Sequence, residues 1–232
     1  MTKTEVLALL KENKNERGIA NWKKMGDTGG LQSYGIGLSQ LRKLAKKVGR
    51  SHSLAAQLWK SKNYDAKVIS LLIDEPKKLT REQIETQVEQ LEAGMLCHVF
   101  SSCDATLPKA PFAFELACDW IKGKDEVRAR CGWGLVYELS KNARMAELTD
   151  KFFLDCIKQI DTTYDGKSDD LRLAMGGAVM GIGKRSKKLN KAAVKLAKRI
   201  SPIEYDPGET SCEPFDILKH ITSDYIKKKL GI

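Results

Sequence analysis

Between residues 184 and 199 the sequence KRSKKLNKAAVKLAKR contains no aspartate or glutamate. That absence excludes the usual neutralisation of a lysine-rich helix face by glutamates one turn away. Cysteine pairs are missing too: Cys97, Cys103, Cys118, Cys131, Cys156 and Cys212 are scattered, and no CxxC occurs. His52, His98 and His220 lie far apart. No metal site and no cofactor are expected, and the thiols read as reduced residues of apolar helices. No apolar run is long enough to cross a bilayer, and MTKTEVLALLKENKN lacks a signal-peptide core. A cytoplasmic protein with no membrane partner is therefore expected. Strand patterns are also wanting, with 203–205 the one stretch that reads as extended. The glycine-rich GDTGGLQSYGIG has neither a Walker lysine nor a preceding strand, so it reads as a loop between helices.

What is present is basic and helical. The 232 residues carry 40 Lys+Arg against 30 Asp+Glu, a net charge of +10, with 42% hydrophobic residues. This composition suits a globular domain with an anionic partner. In the acid-free stretch, Leu189, Ala192, Ala193, Leu196, Ala197 and Ile200 fall on one helical face. Lys188, Lys191, Lys195 and Lys198 fall on the other. At about 1.5 Å per residue their ammonium groups span roughly 15 Å, a few phosphates of a polyanion backbone. The competing reading is a solvated surface helix.

Almost every other segment also reads as helix. Thr2 with Glu5 and Thr80 with Gln83 form capping-box signals. Further helices are predicted near 21–25, 41–48, 53–60, 65–73, 81–91, 94–105, 112–121, 125–140, 146–160, 169–183, 188–200 and 214–230. The helix at 41–48 shows Arg42, Lys43, Lys46 and Lys47 on its outer side, with Arg50 after it. About a dozen short helices in pairs imply an all-α protein: a single-domain α-solenoid of HEAT-like units, curved, with a basic concave face. A monomer is expected, and a compact bundle is the alternative.

The stretches SYGIGLSQLRKLAKKV and LAAQLWKSKNYDAKVISLLIDEPKKLT resemble the front half of the DNA alkylation repair family. These are the AlkD-type HEAT-like DNA glycosylases and their paralogues. APFAFELACDWIKGKDEVRARCGWGLVYEL and AMGGAVMGIGKRSKKLNKAAVKLAKRI extend the resemblance over most of the chain. In the glycosylases, one Asp stabilises an oxocarbenium-like sugar, two Trp pack on the nucleotide backbone and one Arg stands beside it. By resemblance Asp104 matches the catalytic carboxylate, Phe100 stands in for the first Trp, and Arg130 matches the Arg. Gly177 occupies the second Trp's place, and Trp133 is a nearby aromatic off the matching position. Two readings of Asp104 stay open, a catalytic electrostatic group or a helix-terminal cap or ion pair. Two stay open for Gly176 and Gly177, a dent facing a ligand or close helix packing.

The resemblance implies a DNA-binding protein with weak or no base excision. It would hold duplex or branched DNA through Lys184, Arg185, Lys187, Lys188, Lys191 and Lys195, with Arg42, Lys43, Lys46 and Lys47 as a second contact. No element is seen that reads base edges, so little sequence specificity is expected. The alternatives are an active alkylpurine glycosylase using Asp104, Arg130 and Phe100, and a helical-repeat scaffold that binds protein.

Overall fold

The structure, a computed structural model, describes residues 1–25, 28–91, 93–205 and 213–232. Gly26, Asp27 and Cys212, each noted in the sequence, lie outside the described residues. The chain divides into two compact units, Met1–Ala113 and Phe114–Ile232, where the sequence reading expects one domain. Among the described residues the only β-type pairings are two isolated bridges, Gln32 with Asn63 and Ile203 with Phe215.

The first unit contains α1 (Lys3–Glu12), α2 (Glu16–Lys24), α3 (Leu38–Val48), α4 (His52–Trp59), α5 (Tyr64–Ile73), α6 (Arg81–Val88) and α7 (Leu96–Ser101). A 3₁₀ turn follows at Leu107–Lys109. Helix α5 packs against α1, α3, α4 and α7, and its residues from Asp65 to Ile73 are all buried. The polar residues of α5 are satisfied locally. Lys67 sends its ammonium to the Trp59 carbonyl at 2.7 Å and lies 4.1 Å over the Trp59 ring. Asp65 accepts from Ser33 Oγ at 2.9 Å and from the amides of Tyr34 and Ile36 at 2.7 and 3.2 Å. Burial nevertheless pushes its carboxyl above the ordinary range. Asp65 thereby pins the end of the glycine-rich loop to the central helix. The same loop runs close to α2: a Cβ on Gly18 would stand 2.0 Å from the Gly35 carbonyl oxygen.

The second unit contains nearly all of α8 (Ala113–Trp120), then α9 (Glu126–Leu139), α10 (Asp150–Thr163), α11 (Asp169–Gly183), α12 (Lys187–Ile200), α13 (Ile217–Ile221) and α14 (Asp224–Leu230). Helix α11 is central and packs on α9, α12 and α13. Asn190, buried on α12, donates to the carbonyls of Gly183 at 2.8 Å and Ile221 at 2.9 Å. One amide thus fastens α12 to the ends of α11 and α13.

Several expected elements differ. The helix predicted at 21–25 is Glu16–Lys24, begun where Asn15 accepts from the Gly18 amide, and the one predicted at 146–160 is Asp150–Thr163, begun where Thr149 accepts from the Phe152 amide. The helix predicted at 94–105 is only α7, because Cys103 and Asp104 adopt left-handed φ of 56° and 70°, which an α-helix cannot contain. The single C-terminal helix predicted at 214–230 is two, broken where Thr222 caps α13 and Ser223 opens α14. The box predicted at Thr80 is half formed. Thr80 Oγ1 accepts from the Gln83 amide at 3.1 Å, but the Gln83 side chain turns to Asp74 at 3.0 Å. The Thr2–Glu5 box is complete, as expected.

Candidate nucleic-acid interface

Helix α12 is the strongest charged feature. Ser186 caps its first turn by accepting from the Leu189 amide. Leu189, Ala193, Leu196, Ala197 and Ile200 are buried on its inner face. Lys187, Lys188, Lys191, Lys195 and Lys198 are exposed, and none of them makes an ion pair among the described residues. The stretch is not wholly without acidic partners, however. Arg199 bonds Asp161 and Asp165 of the same unit, each at 3.0 Å.

Arg185 corrects the expected phosphate-contact set. Its guanidinium donates to the carbonyls of Ser140, Asn142 and Leu148 at 2.9, 2.6 and 3.0 Å, and lies 4.8 Å over the Phe153 ring. Occupied in this way, it holds the loop after α9 and has little donor capacity for a ligand. Lys184, beside it, is half-buried.

The glycines separate into two kinds. A Cβ on Gly176 would stand 2.3 Å from Ile203 Cδ1, so this glycine permits close packing. A Cβ on Gly177 would meet nothing within 4 Å, so this glycine opens onto free space. Helices α9 and α11 run side by side in the same direction. Arg130 pairs with Asp170 at 2.8 Å near their starts, and Tyr137 and Ser140 abut Gly181 near their ends. An ion pair thus joins the two helices at one end and the close approach at Gly181 joins them at the other.

In the first unit, Arg42 Nε stands 3.1 Å from Asp104 Oδ2 and 3.4 Å from the Cys103 carbonyl. Arg42, Lys46, Arg50, Lys109 and Asp104 line a groove of about 390 Å³. Lys43 and Lys47, also on α3, are exposed. Asp104 and Arg130 thus each have an ion-pair partner within their own unit. The Asp104 side chain is 73% exposed, so in the free protein the carboxylate is in water rather than in a site that excludes it.

The aromatic expectations need correction. Phe100 is completely buried and Trp133 is 1% exposed, so both are core residues with no face for a nucleotide. They lie on the apolar sides of α7 and α9, where ordinary helix packing covers them. Trp120 is buried, and Trp22 packs against Tyr64 with ring centroids 4.6 Å apart. Among the described aromatic residues only Tyr225 is prominently exposed. Lys109 and Lys141 stand alone in mixed sequence and Lys229 ends a short run, Lys227–Lys229, so all three reach their clusters only through tertiary contacts.

The family model described as "DNA alkylation repair enzyme" matches residues 6–204. The chain belongs to the DNA alkylation repair family. Two Listeria relatives are similar over nearly full length, and both are described as uncharacterized. Lin0241 of Listeria innocua is 28% identical, and Lmo0209 of Listeria monocytogenes 27%, each over 94% of this chain and 93% of the relative. A solved structure matches with a TM-score of 0.83 at 21% identity, over 100% of this chain and 97% of that one. That protein is described as one of "a new family of proteins related to the HEAT-like repeat DNA glycosylases with affinity for branched DNA structures". The expected all-α solenoid of HEAT-like repeats is borne out by this likeness. Like that fold, this family member is built of stacked helices, and no described helix is long and apolar enough to cross a membrane.

Proposed function

We propose that this protein binds DNA, duplex or branched, through its phosphate backbone, with little sequence specificity and weak or no base excision. The observation that supports this most is the row of five exposed lysines on α12, none of them in an ion pair among the described residues. A helix fastened on its inner face by Asn190 and capped by Ser186 presents those charges at fixed spacing. Lys43, Lys46 and Lys47 on α3 are a second contact, and Lys184 a further one at the start of the row. The buried Phe100 and Trp133, with Gly177 in an aromatic's place, leave no flat wall of the kind that stacks on a base at about 1–3 kcal/mol. The protein's partner is DNA and it acts as a monomer. A gel shift on duplex and four-way-junction DNA tests this. Replacing Lys188, Lys191 and Lys195 with Glu abolishes the shift, and an unchanged shift overturns the assignment in favour of a protein scaffold.

The glycosylase reading has one observation in its favour. Asp104 sits at the rim of a cationic groove on a backbone in the sparsely populated left-handed region, a conformation found where structure serves function. Asp104 is then the electrostatic group, with Arg42 beside it. Release of N3- or N7-alkylated purine by wild type but not by Asp104→Asn would establish it.

A further inference from the structure

Three chain segments deliver lysines to the C-terminal end of α11. Arg185 bonds the carbonyls of Ser140 and Asn142, which flank Lys141. Lys229, on α14, donates its ammonium to the Lys184 carbonyl at 3.1 Å. Lys141, Lys184 and Lys229 are thereby gathered at one place. Two of the three are engaged. Lys141 bonds Glu138 at 2.8 Å and lies 4.0 Å over the Tyr137 ring, and Lys229 holds its carbonyl. The Lys184 amine has neither a carboxylate nor a carbonyl partner among the described residues, and it is half-buried. Burial first, then the ammoniums of Lys141 and Lys229, push it below the ordinary lysine range. His220 also faces this cluster. Burial and Lys184 push its imidazole down, while Asp216 pulls it up.

A lysine that loses its proton easily yet stays reachable is a nucleophile for carbonyl carbon. We propose that Lys184 condenses with the ring-opened aldehyde of an abasic deoxyribose in DNA, an inference that rests on the DNA-binding reading above. The surroundings suit that substrate. Lys187 and Lys188 open α12 three and four residues later and take the flanking phosphates. Gly177 lies two turns back along the α11 face, roughly 10 Å away, and leaves room. An abasic sugar carries no base, so it needs no aromatic wall.

The chemistry balances without a co-reactant. The neutral amine adds to C1′, the carbonyl oxygen leaves as water with the amine's two protons, and a proton taken from solvent gives the protonated imine. Loss of a C2′ proton to water then expels the 3′ phosphate oxygen and breaks the C3′–O3′ bond. Hydrolysis of the imine by one water returns the amine.

The test uses the full chain, a duplex with one abasic site, and borohydride to reduce the imine to a stable secondary amine. Wild type gives a covalent adduct that maps to Lys184, and Lys184→Arg reduces it to background. Trapping rises with pH, and the double variant Lys141→Gln, Lys229→Gln moves its midpoint upward, because the depressing charges are gone. An adduct undiminished in Lys184→Arg, or mapping to the N-terminus or an α12 lysine, overturns the proposal. A gel shift on the same duplex with a tetrahydrofuran in place of the abasic sugar separates the two readings. Binding without an adduct refutes the amine alone, and absence of binding refutes DNA recognition itself.

Discussion

The lysine row of α12 makes a quantitative statement about salt. From Lys187 to Lys198 it runs roughly 16 Å along the helix at about 1.5 Å per residue, four or five phosphates of one strand at about 3.4 Å each. The triple variant Lys188→Gln, Lys191→Gln, Lys195→Gln removes three of its charges. None of the three pairs with an acid among the described residues, so no carboxylate is orphaned and the melting temperature stays near wild type. Each duplex phosphate contact contributes about 0.9 to the slope of log affinity against log salt, so the slope falls in magnitude by about 2.7. Over a fourfold rise in salt, wild type then loses about 40 times more affinity than the variant. Fluorescence anisotropy with a labelled duplex at several salt concentrations measures both slopes. A folded variant with an unchanged slope means that α12 does not touch phosphate, and the functional reading built on it fails.

Other expectations follow from the packing. Gly18→Ala drives a methyl into the Gly35 backbone and destabilises by about 3 kcal/mol in denaturant unfolding, whereas Gly177→Ala points into open space and gains up to about 1 kcal/mol from helix propensity. Asp65→Ala leaves the Ser33, Tyr34 and Ile36 donors without their acceptor and costs about 3 kcal/mol by the same measurement. Thiol-reagent mapping by mass spectrometry finds Cys103, which is partly exposed, modified before Cys156. The Cys156 thiol is 2% exposed and pushed up to about 12, chiefly by burial.

Where a feature was local, the sequence announced it. The Thr2–Glu5 box, the span of α11 and the amphipathic face of α12 follow from spacing within one or two turns. Features decided by distant neighbours were not legible. Arg185 looked like a phosphate contact because it stands in a basic run, yet three carbonyls from 140–148 claim it. Gly176 and Gly177 are adjacent and chemically identical. Only the position of Ile203 makes one a packing surface and the other an opening. Phe100 shows the limit of matching residues by family pattern, since an aromatic at the right place in sequence has turned wholly into the core.

Within the second unit, the two kinds of cation have different tasks. Arg130, Arg172, Arg185 and Arg199 all bind carboxylates or carbonyls of their own unit, while the exposed α12 row is lysine throughout. A guanidinium fork enforces the geometry of whatever it holds, whereas an ammonium on a four-carbon stem is a swivelling point charge. The outward surface is thus forgiving. On the DNA-binding reading, it follows phosphates whose spacing changes from straight duplex to branch point, releases them one at a time, and moves along a strand without unlocking any fixed contact.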